Sequence, residues 1–240
     1  VKPSDKMNAQ GRKTCSPASR KLLARASMRS IAVPIALSSG VLSLASLIDS
    51  QMMRPLLLEY YGDPELAKAV FSDYSTGAVT LFNMPTVLVY PIASAIVPYI
   101  TASVARRDTA EAGRYVLSAL RIAALISLPA ALGMSVLSAP ILDTVFLGDA
   151  DMAAHAASPL AILALSIFPL GLLAVTNAVL QSFGRQGCPI LSMCAGVFVK
   201  ITVLVSLTPV IGPLAAPLGT LFFYLVAFLF NMYFLFRYTV

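Results

Sequence analysis

The segment SPLAILALSIFPLGLLAVTNAVLQS, residues 158–182, decides the fold class because it contains no aspartate, glutamate, lysine or arginine. A helix needs about 20 such residues to cross the roughly 30 Å of hydrocarbon in a bilayer. Outward from this segment, apolar runs of similar length recur between short charged stretches. We therefore predict an all-α integral membrane protein of about six transmembrane helices. The predicted spans are about residues 30–49, 76–102, 116–138, 158–182, 188–209 and 213–236.

The composition agrees with this class. Hydrophobic residues make up 58% of the 240-residue chain and charged residues only 12%, with a mean hydropathy of +0.82. Soluble domains carry roughly 25% charged residues, so a water-soluble core could not hide this much apolar surface. The net charge of +6 does not indicate a nucleic-acid partner, because the basic residues lie between the predicted spans.

The positions of the basic residues orient the predicted spans. With six spans, one side of the membrane receives most of them: Lys2, Lys6, Arg12, Lys13, Arg20, Lys21, Arg25, Arg29, Arg106, Arg107, Arg114, Arg121, Arg185 and Arg237. The predicted opposite loops, residues 51–75 and 139–157, carry only Arg54 and Lys68 among many acidic residues. The positive-inside rule then predicts that both ends of the chain are cytoplasmic.

Residues 1–29 are predicted to be a basic cytoplasmic linker that is partly amphipathic, and residues 30–240 a transmembrane lobe. One cluster has the spacing of an amphipathic helix that would lie on the anionic inner leaflet: Leu22, Leu23 and Ala26 with Arg20, Lys21, Arg25 and Arg29. An ordinary linker with topology-setting charges explains it equally well. Since the chain begins with Val1 and shows no signal core, we expect it to begin within a longer protein.

Residues that could support catalysis or metal binding are scarce. The one histidine, His155, lies in the predicted acidic outer loop, and no glycine-rich phosphate loop is present. Cys15, Cys188 and Cys194 lack the spacing of a disulfide framework or a metal site. We predict no enzymatic activity, no cofactor and no metal.

Ionisable residues within the spans are the informative ones, because a charge at the bilayer centre costs several kcal/mol and usually faces a cavity or a partner. Lys200 lies near the middle of the fifth span and is predicted to act in transport or gating, or to pair with an acid or a helix-end carbonyl. The side chain of Arg121 is predicted either to extend to the cytoplasmic surface or, if it faces inward, to bind phosphate. Asp49 closes the first span and is predicted to pair with Arg54 or to act as a gate.

Neutral amides also occur within the spans. Asn83, Asn177 and Gln181 are candidates for the transport pathway, and Asn231 is a weaker one. Interhelical hydrogen bonds are the alternative role for all four, since amides commonly hold membrane helices together.

Prolines are frequent inside the predicted spans, and each removes a backbone donor and can kink a helix. The kink candidates are Pro85, Pro91, Pro98, Pro129 and Pro169. Transporters use broken helices to line a cavity and to rock between states. The alternative is that membrane helices simply tolerate proline.

An ordered series of short motifs carries a family resemblance over about residues 20–240. The series includes LFNMP at 81–85, IVPYI at 96–100, ARRD at 105–108, LPAALG at 128–133 and LQSFGR at 180–185. In this series the chain resembles the polysaccharide flippase branch of the MOP (multidrug, oligosaccharidyl-lipid and polysaccharide) exporter superfamily, most closely transporters like stage V sporulation protein B.

The resemblance implies one lobe, the C-terminal one, of a two-lobe flippase that works by alternating access. It implies as substrate an undecaprenyl-linked sugar or a peptidoglycan precursor such as lipid II, and as partners the bilayer and an N-terminal lobe. The implied location is the bacterial inner membrane, with a role in spore cortex or cell-wall synthesis. Two alternatives stay open: a cation-coupled multidrug exporter of the MATE branch, and a membrane scaffold that transports nothing.

Overall fold

The computed structural model describes residues 40, 43, 45–146 and 150–239, and these residues form helices and turns without a strand. The predicted linker of residues 1–29 and most of the first predicted span lie outside the described residues. The helices are α1 at residues 45–61, α2 at Pro64–Asp73, α3 at Val79–Ala105, α4 at Thr109–Val136, α5 at Ser138–Val145, α6 at Ala150–Leu165, α7 at Ile167–Ser182, α8 at Gly187–Ile211 and α9 at Ala215–Thr239.

The prediction of a polar loop at residues 51–75 was wrong, because two helices occupy this segment. Helix α1 continues to residue 61 with Met53 and Leu57, one helical turn apart, buried on its inner face. Gly62 then turns the chain with a positive φ of 68°. Asp63 begins α2 by accepting a hydrogen bond from the backbone N–H of Glu65, with Pro64 in the first turn.

A π-helical turn joins α2 to α3 without a break. It covers Tyr74–Ala78, so the helical stretch Pro64–Ala105 is continuous and contains the second predicted span. A π-helical turn adds a residue to the helical repeat and redirects the side chains on either side of it. Its consequence here is that Tyr74 is buried inside the helical bundle.

The predicted acidic loop at residues 139–157 is likewise mostly helical. Helix α5 buries Leu142, and α6 begins at Ala150. His155 therefore lies in a helix and not in a loop, and its Nδ1 is 2.7 Å from Oδ2 of Asp73 at the end of α2. Asp143 and Asp151 are compatible with a helix because both are exposed.

Helices α6 and α7 form the centre of the lobe. In the apolar window of Asp151–Ser182, 72% of the residues are buried, against 22–28% in the windows of the three other long apolar stretches. Those stretches are Pro64–Ala105, Thr109–Val136 and Gly187–Arg237, and each is long and apolar enough to cross a membrane. Their exposed side chains, such as Val136 and Phe198, suit contact with lipid.

The last apolar stretch folds back on itself. Helix α8 ends at Ile211, and Gly212 turns the chain at a φ of 56° before α9 returns along α8. A Cβ atom on Gly212 would lie 2.7 Å from the ring of Tyr60, so this turn also packs against the end of α1. The six predicted span boundaries stay a prediction, but the turns at Gly184 and Gly212 match the predicted breaks around the fifth span.

Candidate functional site

A buried ion pair joins α1 to α8. The Nζ atom of Lys200 donates a hydrogen bond to Oδ2 of Asp49 at 2.7 Å, across 151 positions of sequence. Lys200 is only 3% exposed. Asp49 was predicted to close the first span. In the structure it lies within α1, which continues to residue 61. Its partner is Lys200, while the guanidinium of Arg54 stacks on the ring of Phe71 at 4.8 Å.

The ion pair lies in the wall of a cavity of about 160 Å³. This volume equals that of roughly five water molecules at about 30 Å³ each. Polar and apolar side chains alternate around it: Ala45, Ser46, Asp49, Tyr74, Val79, Phe82, Asn83, Leu163, Lys200, Thr220, Phe223 and Tyr224. Three sequence candidates, Lys200, Asp49 and Asn83, therefore meet at one place.

Local backbone features bring these side chains together. The π-helical turn that begins at Tyr74 directs this tyrosine into the cavity. Helix α9 contacts α8 beside Gly219, where a Cβ atom would be in ordinary van der Waals contact, 3.4 Å from the carbonyl oxygen of Lys200. One turn of α9 further on, the ring centroid of Phe223 lies 5.9 Å from Nζ of Lys200, within the range of a cation–π contact.

Among the described residues, only one oxygen of the Asp49 carboxylate has a hydrogen-bond partner. Its Oδ2 atom accepts from Lys200, whereas its Oδ1 atom is buried and has no hydrogen-bond partner among the described residues. Burying a charge is costly unless it is paired and its remaining lone pairs are satisfied.

The other amide candidates form a separate cluster between α7 and α9. The side-chain amide of Asn231 is fully buried and donates to Oδ1 of Asn177 at 2.6 Å, and it lies 3.3 Å from Oγ1 of Thr176. Gln181 lies one turn further along α7 and is half-buried. These contacts tie two helices together, which is the interhelical role weighed for such amides.

Arg121 and the prolines are dispersed over the lobe. Arg121 is exposed on α4 and does not line the cavity. Pro85, Pro91 and Pro98 lie inside α3 and Pro129 inside α4. Pro169 is buried in the first turn of α7, just after the break at Ser166 that ends α6. Their predicted roles as kinks stay predictions.

A second concave site lies in the angle between α1 and α2. It is an open groove of about 280 Å³, lined by Arg54, Pro55, Leu58, Pro64, Ala67 and Lys68. We call it the Arg54–Lys68 groove. Both basic side chains are exposed, and the remainder of the wall is apolar. Among the residues that the structure describes, no group of three potential metal ligands occurs at either site.

Sequence reasoning missed several residues of these sites. Tyr74, Thr220 and Tyr224 line the cavity, but a tyrosine or threonine in an apolar helix gives no signal of its own. Arg54 and Lys68 were placed in a loop, although the helical spacing of Met53 and Leu57 could have revealed α1. The pairing of Asp49 with Lys200 was not predicted, because it depends on how α1 packs against α8.

Long apolar helices that enclose a charged pair and a small polar cavity indicate a multi-pass membrane protein. The chain belongs to the MatE family, whose profile matches residues 34–205. This match covers the ion pair, since both Asp49 and Lys200 fall within it.

The fold is similar to that of a MOP superfamily transporter from Pyrococcus furiosus, with a TM-score of 0.71 and 18% sequence identity. That transporter is described as having a binding pocket of reverse polarity that suggests a different function. The similarity covers 87% of this chain and 44% of the Pyrococcus transporter, so the chain spans less than half of its length. No curated protein sequence matches the chain.

Proposed function

We propose that this chain is one lobe of a transporter that moves a lipid-linked sugar across the membrane by alternating access. The observation that carries the proposal is the Arg54–Lys68 groove, in which two exposed cations stand on an apolar wall. A pyrophosphate-linked lipid presents the complementary chemistry: a doubly charged headgroup on a hydrocarbon chain. Membership of the MatE family and the fold shared with a MOP transporter support the transport activity.

The groove suits an anionic amphiphile in two ways. A guanidinium binds phosphate oxygens in a bidentate manner, and a lysine ammonium adds a mobile point charge. Arg54 is held in place for this role by its stacking on Phe71 at 4.8 Å. Pro55, Leu58 and Ala67 would receive the first part of the hydrocarbon chain.

Lys200 has a different role in this proposal from that of a direct phosphate ligand. It is 3% exposed and already paired with Asp49, so the exposed cations of the groove are the ones available to the headgroup. Arg121, exposed on α4, stays a candidate phosphate ligand at another stage of transport. The prolines of α3 and the break at Ser166 are the proposed points of bending between the inward and outward states.

The proposed setting follows the charge pattern and the family resemblance. It is the bacterial inner membrane with both ends of this lobe in the cytoplasm, an N-terminal lobe completing the cavity, and a role in sporulation or in polysaccharide or peptidoglycan synthesis. A cation-coupled multidrug exporter is disfavoured because it needs a membrane acid free to exchange its cation. Asp49 is engaged by Lys200 instead.

The double variant Arg54→Ala/Lys68→Ala is expected to lower the rate of transport about tenfold or more. Charge-assisted hydrogen bonds contribute about 1.5–3 kcal/mol, and about 1.4 kcal/mol corresponds to tenfold. The measurement is flipping of lipid II, followed in cells depleted of their own flippase that express the full-length transporter.

Arg114→Ala is the matched control, because Arg114 is an exposed arginine of α4 that lines neither site. It should transport normally and be produced in equal amount. Normal transport by the double variant would remove the groove from the mechanism and with it the main support for a lipid-linked substrate.

A further inference from the structure

The cavity beside Asp49 has the composition of a site for one monovalent cation. Its lining includes the carboxylate residue Asp49, four residues with hydroxyl groups and one amide: Ser46, Tyr74, Thr220, Tyr224 and Asn83. Oxygen ligands of this kind suit hard cations such as Na⁺. Because one carboxylate lines the cavity, a single positive charge neutralises it.

In the structure that charge is supplied by the protein. The ammonium of Lys200 is 2.7 Å from Oδ2 of Asp49, and the face of Phe223 lies on its other side at 5.9 Å. Lys200 is 3% exposed, so the helices around it enclose its side chain. A free cation entering the cavity would meet this ammonium within a few ångströms, and like charges at that separation repel.

We propose that Lys200 is a tethered counter-ion that takes the place of a bound cation, so that this cavity holds no free Na⁺ and removal of the ammonium turns it into a Na⁺ site. Oδ2 of Asp49, which accepts the hydrogen bond of the ammonium in the structure, is the ligand that the new ion would use first. It follows that ion binding at this cavity does not drive transport by this lobe. The proposal stands on the cavity alone and does not depend on the nature of the substrate.

The test compares the melting temperature of the purified full-length transporter in NaCl and in N-methylglucamine chloride at equal ionic strength. The unaltered protein and the Lys200→Met variant are measured side by side. Methionine keeps the length of the lysine stem and removes its charge. We expect the melting temperature of Lys200→Met to rise by about 2–3 °C at Na⁺ concentrations of about 100 times its Kd, and that of the unaltered protein to stay constant.

The double variant Asp49→Asn/Lys200→Met separates this cavity from any ion site elsewhere in the transporter. It lacks both charges and should lose the Na⁺ response that Lys200→Met gains. If Lys200→Met folds and shows no response to Na⁺, the proposal is overturned.

A second measurement keeps the proposal testable even if Lys200→Met does not fold. The unaltered protein is compared with the double variant alone. A Na⁺-dependent stabilisation that is present in the unaltered protein and absent from Asp49→Asn/Lys200→Met would overturn the proposal, because the ion would then bind beside Lys200. Equal responses of the two proteins support it.

Discussion

Replacing Lys200 by alanine is expected to lower the free energy of unfolding by about 3–5 kcal/mol. The substitution removes one partner of a buried ion pair and leaves the carboxylate of Asp49 without its counter-charge. The effect should fall at the lower end of this range, since the side chain of Asp49 is 19% exposed to the cavity. The measurement is unfolding of the purified transporter in mixed micelles at increasing fractions of denaturing detergent.

The companion variant Asp49→Asn/Lys200→Met removes both charges together. It is expected to be more stable than Lys200→Ala, because a buried ion pair replaced by neutral groups of similar size often costs little. A double-mutant cycle with the single variants Asp49→Asn and Lys200→Met then isolates the coupling between the side chains. A loss below about 1 kcal/mol for Lys200→Ala would place the pair in a water-filled, weakly coupled environment instead.

Replacing Gly196 by alanine is expected to lower the free energy of unfolding by about 1–3 kcal/mol. A Cβ atom at this position would lie 2.8 Å from both the backbone oxygen and a ring carbon of Phe223. Backbone atoms cannot rotate out of the way, so α8 and α9 must separate. This separation would also move Phe223 away from Lys200, because the two residues share the cavity wall.

Gly133→Ala is the matched control for this prediction. Gly133 also lies within a long apolar helix, but nothing comes within 4 Å of a Cβ atom built on it. Alanine favours helix over glycine by roughly 1 kcal/mol, so Gly133→Ala should be neutral or slightly stabilising. Equal losses in the free energy of unfolding for Gly196→Ala and Gly133→Ala would contradict the prediction, because the loss would then not come from the contact with Phe223.

The fold class could be predicted from the sequence, because the composition of each segment indicates whether it lies in water or in an apolar environment. A segment such as residues 158–182, free of charges, can only be buried in protein or lipid. The same reasoning failed at residues 51–75 and 139–157. Polar residues there indicated loops, but α1 and α2 occupy the first segment and α5 and α6 most of the second, and each of these helices buries an apolar face.

The site was only partly predictable for a related reason. Lys200 and Asp49 could each be recognised as costly in lipid, since that cost belongs to a single residue. Their pairing could not be foreseen, because it depends on the packing of α1 against α8 across 151 positions of sequence. The π-helical turn at Tyr74 leaves no periodicity signal, so the entry of this tyrosine into the cavity was also hidden.

The most direct test of the proposed transport function uses the purified full-length transporter in proteoliposomes with a fluorescent, undecaprenyl-pyrophosphate-linked sugar. The measured quantity is the rate at which the labelled lipid moves between leaflets, read by quenching of the outer leaflet. We predict movement about tenfold or more faster than in protein-free liposomes, with the increase lost in Arg54→Ala/Lys68→Ala. A rate equal to that of protein-free liposomes, from a folded and correctly inserted protein, would contradict a flippase function.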